Sequence, residues 1–266
     1  MGDNSGGNPA LKLRNILNQC YERHLMKRIT NVPDHIAIIQ DGNRRYAKIQ
    51  GKNTSFGHRK GAQTSEDLLE WAREIGVRNV TLYSFSTENF NRSDEELNEL
   101  FSLFIEKFRS VKTDPRIHKN KIRLQVVGDR SLIPENLLAT IVEAEEATKD
   151  YTQFHLNIAL AYGGRNEIVL ASREIIKDLR ANRITPDMIT KDLFDEKIRG
   201  DLHLPPVDLI IRTGNEKRTS NFLPWFANGY ESAVYFCAPY WPLFRKIDLL
   251  RGIRVYDERV KSGYLP

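Results

Sequence analysis

The stretch "HIAIIQDGNRRYAKIQG", residues 35 to 51, ends a short apolar run abruptly with an acid, a glycine, an asparagine and two arginines. A near-continuous apolar run reads as a strand covered on both faces, the habit of parallel sheets. Five further β-rich runs follow: "NVTLYSFS" (79–86), "IRLQVVG" (122–128), "FHLNIALAY" (154–162), "VDLIIRTG" (207–214) and "SAVYFC" (232–237). Between them apolar residues recur at helical spacing. Examples are Leu68, Leu69, Ala72 and Ile75, then Leu97, Leu100, Phe101, Phe104, Ile105 and Phe108, then Leu137, Leu138, Ile141 and Val142, then Ile168, Ala171, Ile175 and Leu179. Strands alternating with helices of this length predict an α/β fold with a six-stranded, mostly parallel sheet surrounded by helices.

A chain of 266 residues allows one large domain or two small ones, at about 150 residues per domain. No Gly/Ser-rich, Pro-rich or charged linker interrupts residues 30 to 260, so a single domain over 30–266 is expected. Residues 1–29 read as a tail followed by a basic amphipathic helix over 10–29. Hydrophobic content of 40 % can fill a sizeable core and 28 % charged residues can keep the surface wet. No apolar run reaches the roughly 18 residues of a spanning helix, and the start lacks a signal-peptide pattern. Cys20 and Cys237 stand alone, without the spacing of a zinc site or a disulfide framework, which points to a reducing, cytoplasmic setting. The net charge of +5 and the pI near 9.1 favour anionic partners: nucleic acid, a membrane surface or phosphorylated metabolites. No nucleic-acid-binding module is recognisable.

In open α/β sheets ligands bind outside the carboxyl ends of the strands. Here those ends read "QDGNRRYA", "STENFNR", "YGGRNE" and "RTGNEKRTSNF". They bring Asp41, Arg44, Arg45, Ser86, Glu88, Asn89, Arg92, Arg165, Arg212 and Arg218 toward one rim. Loops are polar in any case, but four arginine-rich loops at carboxyl ends predict a site for something strongly anionic. The chain has neither GxxxxGK[ST] nor GxGxxG, so ordinary P-loop and dinucleotide sites lack support. "SFGHRKGA" (55–62) places glycines and His58 just before a helix, where free N–H groups and the macrodipole favour phosphate. Two arginine clusters, around 41–58 and 212–220, suit two diphosphates. Asp41 among arginines is open to two readings: a structural counter-ion, or a Mg²⁺ ligand sharing the ion with phosphate oxygens and water.

The blocks "HIAIIQDGNRRYAKIQG", "FGHRKGA", "TLYSFSTENFNR", "NIALAYGGRNEI" and "VDLIIRTGNEKRTSNF" resemble, in order, those of the cis-prenyltransferase family, which includes undecaprenyl diphosphate synthase. The resemblance implies a Mg²⁺-dependent transferase with an apolar tunnel beneath its site, condensing isopentenyl diphosphate with an allylic diphosphate. It implies a homodimer, or a related heterodimer, and leaves room for peripheral membrane association. By matching positions, Asp41 resembles the catalytic, metal-binding aspartate. Gly42, Asn43, Arg44 and Arg45 match the loop around the allylic diphosphate, and His58 matches a phosphate-contacting histidine. Ser86, Asn89 and Arg92 match the polar group between the substrates, Asn89 at the position associated with proton removal. An amide is too weak a base to act alone, so Asn89 is expected to position water or diphosphate. Arg212, Arg218 and Ser220 match the isopentenyl diphosphate pocket. Thr54, Thr87, Glu88 and Thr219 fall in the same segments and are expected to touch substrate. Tyr46 and Phe90 stand where the family often has tryptophan; either they are core, or they face the allylic cation.

The chain departs from the family pattern in three places. Thr54 replaces an arginine of bacterial long-chain members, so that one bond to phosphate is either missing or supplied by Lys52 or Arg59. "WFANGYESAVYF" is two residues longer than the usual "W…AYAELYF" segment. Counting forward from Trp225 makes Glu231 the second metal ligand, and counting back from Tyr235 puts Ala233 there; Glu231 is chosen as the acid nearby. In the tail "RVKSGYLP", Lys261-Ser262-Gly263 replaces Arg-x-Gly, so a guanidinium offered to a partner subunit is missing. Ser84 is small where short-chain members are bulky, which favours a medium or long product. A non-catalytic subunit of a heteromeric synthase, or a transferase with another acceptor, is the alternative.

Overall fold

The computed structural model describes residues 9–199, 205–227 and 232–265. Six strands form one sheet: β1 (His35–Ile39), β2 (Asn79–Ser86), β3 (Ile122–Val127), β4 (Phe154–Tyr162), β5 (Leu209–Arg212) and β6 (Ala233–Phe236). Their order is β3-β4-β2-β1-β5-β6, and every pairing is parallel, not merely most of them. Around the sheet lie α1 (Pro9–Arg28), α2 (Asn43–Ile49), α3 (Thr54–Ile75), α4 (Asp94–Val111), α5 (Pro115–Lys119), α6 (Glu135–Glu146), α7 (Gly164–Arg180), α8 (Lys191–Arg199) and α9 (Lys246–Lys261).

The apolar strand runs are explained by burial on both faces. Ile36 and Ile38 of β1, with Leu209 and Ile211 of β5, pack into a core that also takes Leu68 of α3, Leu100 of α4, Leu137 of α6 and Leu249 of α9. Ala37, Ile39 and Ile210, whose side chains alternate to the other face, pack with Ala171 of α7, Ile198 of α8 and Phe222. α1 is tied down through Leu25, which is buried against Ile247 and Leu250 of α9, while Leu17 of α1 remains 60 % exposed.

The strand order has its switch point at β1, which pairs with β2 on one side and β5 on the other. The β2–β4 register is irregular at Tyr83/Phe85 and Phe85/Ser86. Such bulges re-aim side chains at the end of a strand, and this one lies where β2 meets the rim. No helix among the described residues is long and apolar enough to cross a membrane.

Candidate active site

β1 ends at Ile39 and the chain turns at Gly42, whose φ is 116°. Only glycine adopts that region readily, and a Cβ there would lie 2.7 Å from Tyr240. The turn leaves Asp41 facing out of the sheet, with α2 starting directly after it. α2 packs closely on α3: a Cβ on Gly57 would meet the Asn43 carbonyl oxygen at 2.1 Å. That close approach explains the glycines of "FGHRKGA" better than phosphate binding does. The expectation that His58 precedes a helix fails, because Asn53 already caps α3, accepting from the Phe56 N–H at 3.1 Å. His58 therefore sits one turn inside α3, and Thr54 occupies the helix start.

The ends of β1, β2, β4 and β5 open into a crevice of about 1080 Å³. All ten rim residues expected from the strand ends line it, together with Gly42, Asn43, Thr54, His58 and Ser220. Its wall carries Arg44, Arg45, Lys48, Arg92, Arg165, Arg212 and Arg218 against Asp41, Glu88 and Glu216, seven cations to three carboxylates. That excess of four positive charges suits a polyanion. Lys52 and Arg59 do not line the crevice; Arg59 instead bonds Glu106 at 2.8 Å. Lys48, which the sequence pattern does not single out, lines the crevice together with Thr54.

Asp41 is held on both carboxylate oxygens, by Arg45 Nη2 at 2.9 Å and Arg212 Nη2 at 2.8 Å. Arg212 is 3 % exposed and also donates from Nη1 to the Arg218 carbonyl at 2.6 Å and to Ser220 Oγ at 2.5 Å. It thus links the β1 end to the loop after β5. That loop is strained: Ser220, Asn221 and Leu223 have φ of 51°, 60° and 49°, a region costly for residues with a Cβ. Asn221 holds the strain in place. Its Oδ1 accepts from the Arg165 N–H at 2.9 Å, its carbonyl accepts from the Gly164 N–H at 2.9 Å, and its Nδ2 donates to Glu88 at 3.3 Å. Burial raises the pKa of Glu88, but hydrogen bonds from its own backbone, Ser86, Asn221 and Thr87 outweigh it and keep the carboxyl below its ordinary value.

On the other side Ser86 donates its N–H to Asn89 Oδ1 at 3.1 Å. This occupies the amide oxygen of Asn89 and leaves its NH₂ as the working group, a donor and not a base. Arg92 Nη1 bonds Glu96 Oε1 at 2.9 Å, where His58 Nε2 also approaches at 3.3 Å and Arg44 Nε at 3.7 Å. Burial lowers the His58 pKa from its ordinary value, against the pull of Glu96. Glu96 was not expected from the sequence, although the Arg92–Glu96 spacing of four is visible there.

The structure does not bring every expected residue to the crevice. Phe90 packs edge-on against Phe85 at 4.9 Å between centroids, and Tyr46 stacks on Phe56 at 6.1 Å. Neither lines the crevice, and Thr87 and Thr219 do not line it either. Glu231 lies outside the described residues. Ala233, the other counting of the same segment, is a fully buried β6 residue with no ligating group. Lys261 bonds Asp257 at 2.6 Å and the Arg28 carbonyl at 3.2 Å, so its ammonium is engaged within its own chain.

Below the crevice lies a second cavity of about 180 Å³, walled by Leu69, Leu82, Leu100, Leu103 and Phe104 among others. Gln40, Asn43, His58 and Ser84 line both spaces. The pair of spaces fits an amphiphile: a polyanionic head above and a hydrocarbon tail below, meeting at those four side chains.

For Mg²⁺ the donor set is sparse. No group of three or more His, Cys, Asp or Glu side chains among the described residues could cage a metal. Mg²⁺ needs no such cage where one carboxylate shares it with phosphate oxygens and waters, and Asp41 on the wall of the cationic crevice fits that arrangement.

The fold and site define an α/β protein with a cationic crevice at the strand ends and an apolar cavity beside it, and comparison with known proteins gives its family. The profile of a family described as "Putative undecaprenyl diphosphate synthase" matches residues 39–263. The tritrans,polycis-undecaprenyl-diphosphate synthase (geranylgeranyl-diphosphate specific) of Methanosarcina mazei is 48 % identical, over 90 % of this chain and 82 % of its own. The enzyme of that name from Archaeoglobus fulgidus is 46 % identical, over 92 % of this chain and 97 % of its own. Lavandulyl diphosphate synthase from Lavandula x intermedia, solved with dimethylallyl diphosphate, superposes with a TM-score of 0.80 at 32 % identity, covering 85 % and 95 % of the two chains. The chain belongs to the cis-prenyltransferase family.

Proposed function

We propose that the protein condenses isopentenyl diphosphate with an allylic prenyl diphosphate, forming a cis-polyprenyl diphosphate and releasing diphosphate. The observation that carries this is the cationic crevice joined to an apolar cavity through Gln40, Asn43, His58 and Ser84. The names of the archaeal relatives support geranylgeranyl diphosphate as the primer.

The allylic carbon–oxygen bond breaks, diphosphate leaves with the electron pair, C4 of isopentenyl diphosphate bonds to the allylic carbon, and a proton leaves C2. Gly42, Asn43, Arg44, Arg45 and His58 hold the allylic diphosphate, and Arg212, Arg218 and Ser220 hold the second substrate. The NH₂ of Asn89, with Ser86 and Arg92, orients the diphosphate oxygen or water that takes the proton. Mg²⁺, held by Asp41 and substrate oxygens with Glu231 as the second candidate ligand, would stabilise the departing diphosphate as a Lewis acid. Fixed cations aimed at the leaving group act without reorganisation during reaction. A homodimer is supported by β6 at the sheet edge, which exposes Val234 and Phe236 at 38 % and 37 %. The location assigned is cytoplasmic.

The test is turnover of labelled isopentenyl diphosphate with dimethylallyl, farnesyl or geranylgeranyl diphosphate and Mg²⁺. Polyprenyl product is expected, best with geranylgeranyl diphosphate, with turnover at least about 10²-fold lower in Asp41→Ala. Absence of product with every primer refutes the reading, and equal turnover in the variant refutes the role of Asp41. Mass spectrometry of products made from dimethylallyl diphosphate alone examines the other-acceptor alternative.

A further inference from the structure

Three strand ends meet at Asn221. α7 begins at Gly164, and Gly163 at its cap has no side chain to offer the first N–H groups of the helix. Asn221, from the loop after β5, supplies the acceptors instead: its carbonyl takes the Gly164 N–H and its Oδ1 the Arg165 N–H, each at 2.9 Å. Its Nδ2 donates to Glu88 Oε1, just after β2, at 3.3 Å. The fit is close. A Cβ on Gly163 would lie 2.6 Å from Thr87 Oγ1 and 3.3 Å from Asn221 Nδ2, and one on Gly164 would lie 2.0 Å from Pro224 Cδ. The two glycines of "YGGRNE" therefore let the β5 loop close onto α7. Beyond Asn221 the loop is anchored by Phe222, which is buried and stacks on Tyr83 at 4.4 Å between centroids. Before it stands Ser220, whose Oγ accepts from Arg212 Nη1. Asn221 has φ 60°, a conformation that Asn and Asp tolerate better than other residues with a Cβ.

We infer that Asn221 is a positioning residue for the second substrate: it caps α7 from another loop and bonds Glu88, and so holds Ser220 and Arg212 in register with the polar group after β2. This rests on the prenyltransferase reading above. Asn221 need touch no reacting atom. It fixes the separation of two crevice walls, one carrying Arg212, Arg218 and Ser220 and the other Ser86, Asn89 and Arg92. A misplacement of about 1 Å between reacting groups can cost about 10²-fold in rate. The bonds of Asn221 run to Glu88, Gly164 and Arg165 and not to the Gly42–Arg45 loop, so handling of the primer should depend on it little.

The experiment measures kcat and KM of the purified full-length protein for isopentenyl diphosphate at saturating geranylgeranyl diphosphate, and KM for that primer. Asn221→Asp keeps the backbone conformation and the acceptor for Arg165, but sets a carboxylate against Glu88. Its kcat/KM for isopentenyl diphosphate should fall about 10²-fold, with the primer KM within about threefold of the parent. Adding Glu88→Gln rebuilds the bond with donor and acceptor exchanged, and should recover about tenfold of the loss. Glu88→Gln alone should bring no gain. An unimpaired Asn221→Asp, or a double variant without recovery, overturns the inference. An equal gain from Glu88→Gln alone overturns it too, since the rescue would then come only from removing a negative charge from an anion site. So does an equal rise in the primer KM, the mark of general loosening. The cap is read without turnover: hydrogen exchange over residues 163–167 should quicken in Asn221→Ala and be no faster than the parent in Asn221→Asp. Parent-like exchange in Asn221→Ala overturns the capping role. A parent protein that forms no prenyl product overturns the functional reading, and the second-substrate role with it, while the exchange result decides the cap on its own. Melting curves confirm that the variants are folded.

Discussion

In the crevice Asp41 faces two guanidinium groups, and Glu96 below it meets Arg92, Arg44 and His58. In the cavity beneath, the walls are mostly leucine, isoleucine and phenylalanine, with Glu66, Lys107 and Asp114 among them. The two spaces hold a substrate by different physics. The crevice acts through fixed directions, since guanidinium forks bind phosphate oxygens in defined geometry. The cavity acts through area: at about 0.8 kcal/mol per buried CH₂, a five-carbon unit gains about 4 kcal/mol wherever it lies against apolar wall. An exposed ion pair such as Lys107–Glu66, with side chains 41 % and 25 % exposed, is worth about 0–1 kcal/mol. Changes in the crevice should therefore alter rate, and changes in the cavity should alter which product is made.

The sharpest way to break that division is Arg212→Lys. The guanidinium spans Asp41 on one side and the Arg218 carbonyl and Ser220 on the other, and an ammonium cannot make that bridge. Turnover per active protein should fall about 10²–10³-fold, with product length unchanged, as radiolabel and mass spectrometry would report. A variant that kept its rate but made shorter chains would show the division to be wrong.

A smaller effect is expected where the two spaces meet. Ser84 Oγ donates to Gln40 Oε1 at 3.1 Å, and both residues line crevice and cavity. Ser84→Phe should block the way down, shortening the product while the first condensation stays within about tenfold, since overfilling of this kind costs about 1–3 kcal/mol. Loss of the first condensation with no change in length would place Ser84 with the head group alone.

Much of the crevice is readable in the sequence because strand ends are local: an apolar run, a stop and an arginine mark each one. All six strands appear where the apolar runs predict them, and the four arginine-bearing loops do converge. The misses are of another kind. Glu96 looks like one more acid in "SDEELNEL", and only the packing of α4 beside α3 carries His58 to it. Glu66 and Lys107 are 41 positions apart, on two helices whose amphipathic patterns say nothing of register. For Tyr46 and Phe90 the sequence leaves core and site both open, and the rings pack on neighbouring aromatics. His58 reads as preceding a helix because its glycines look like a loop, whereas Gly57 admits the backbone of α2 and Gly61 the side chains of Asn43 and Trp241.

The smallest prediction concerns two buried titratable groups at opposite ends of the sheet, one behind the crevice and one far from it. Glu167, in the first turn of α7, takes a hydrogen bond from the Tyr162 hydroxyl at 2.6 Å, and burial pushes its pKa up to about 7. It lies behind Tyr162, whose ring packs edge-on against Tyr83 and Phe222 beside the strained loop. His35, at the start of β1, approaches Thr81 Oγ1 at 2.7 Å and the Pro205 carbonyl at 2.9 Å, and burial lowers its pKa to about 4. Glu167 contributes stability that is full below its unfolded value near 4.5 and is lost as pH rises through about 7. His35 contributes stability that is full above its unfolded value of 6.5 and is lost as pH falls toward about 4. Each is worth on the order of 3 kcal/mol. Between pH 4.5 and 6.5 the two slopes oppose each other, so both substitutions should tilt a profile that the parent keeps nearly flat. Urea denaturation across that window should show Glu167→Gln gaining stability as pH rises and His35→Gln losing it. If both variants kept the parent's profile, neither group would be titrating as its burial requires. If only Glu167→Gln also changed turnover, the packing behind Tyr162 would count as part of the crevice.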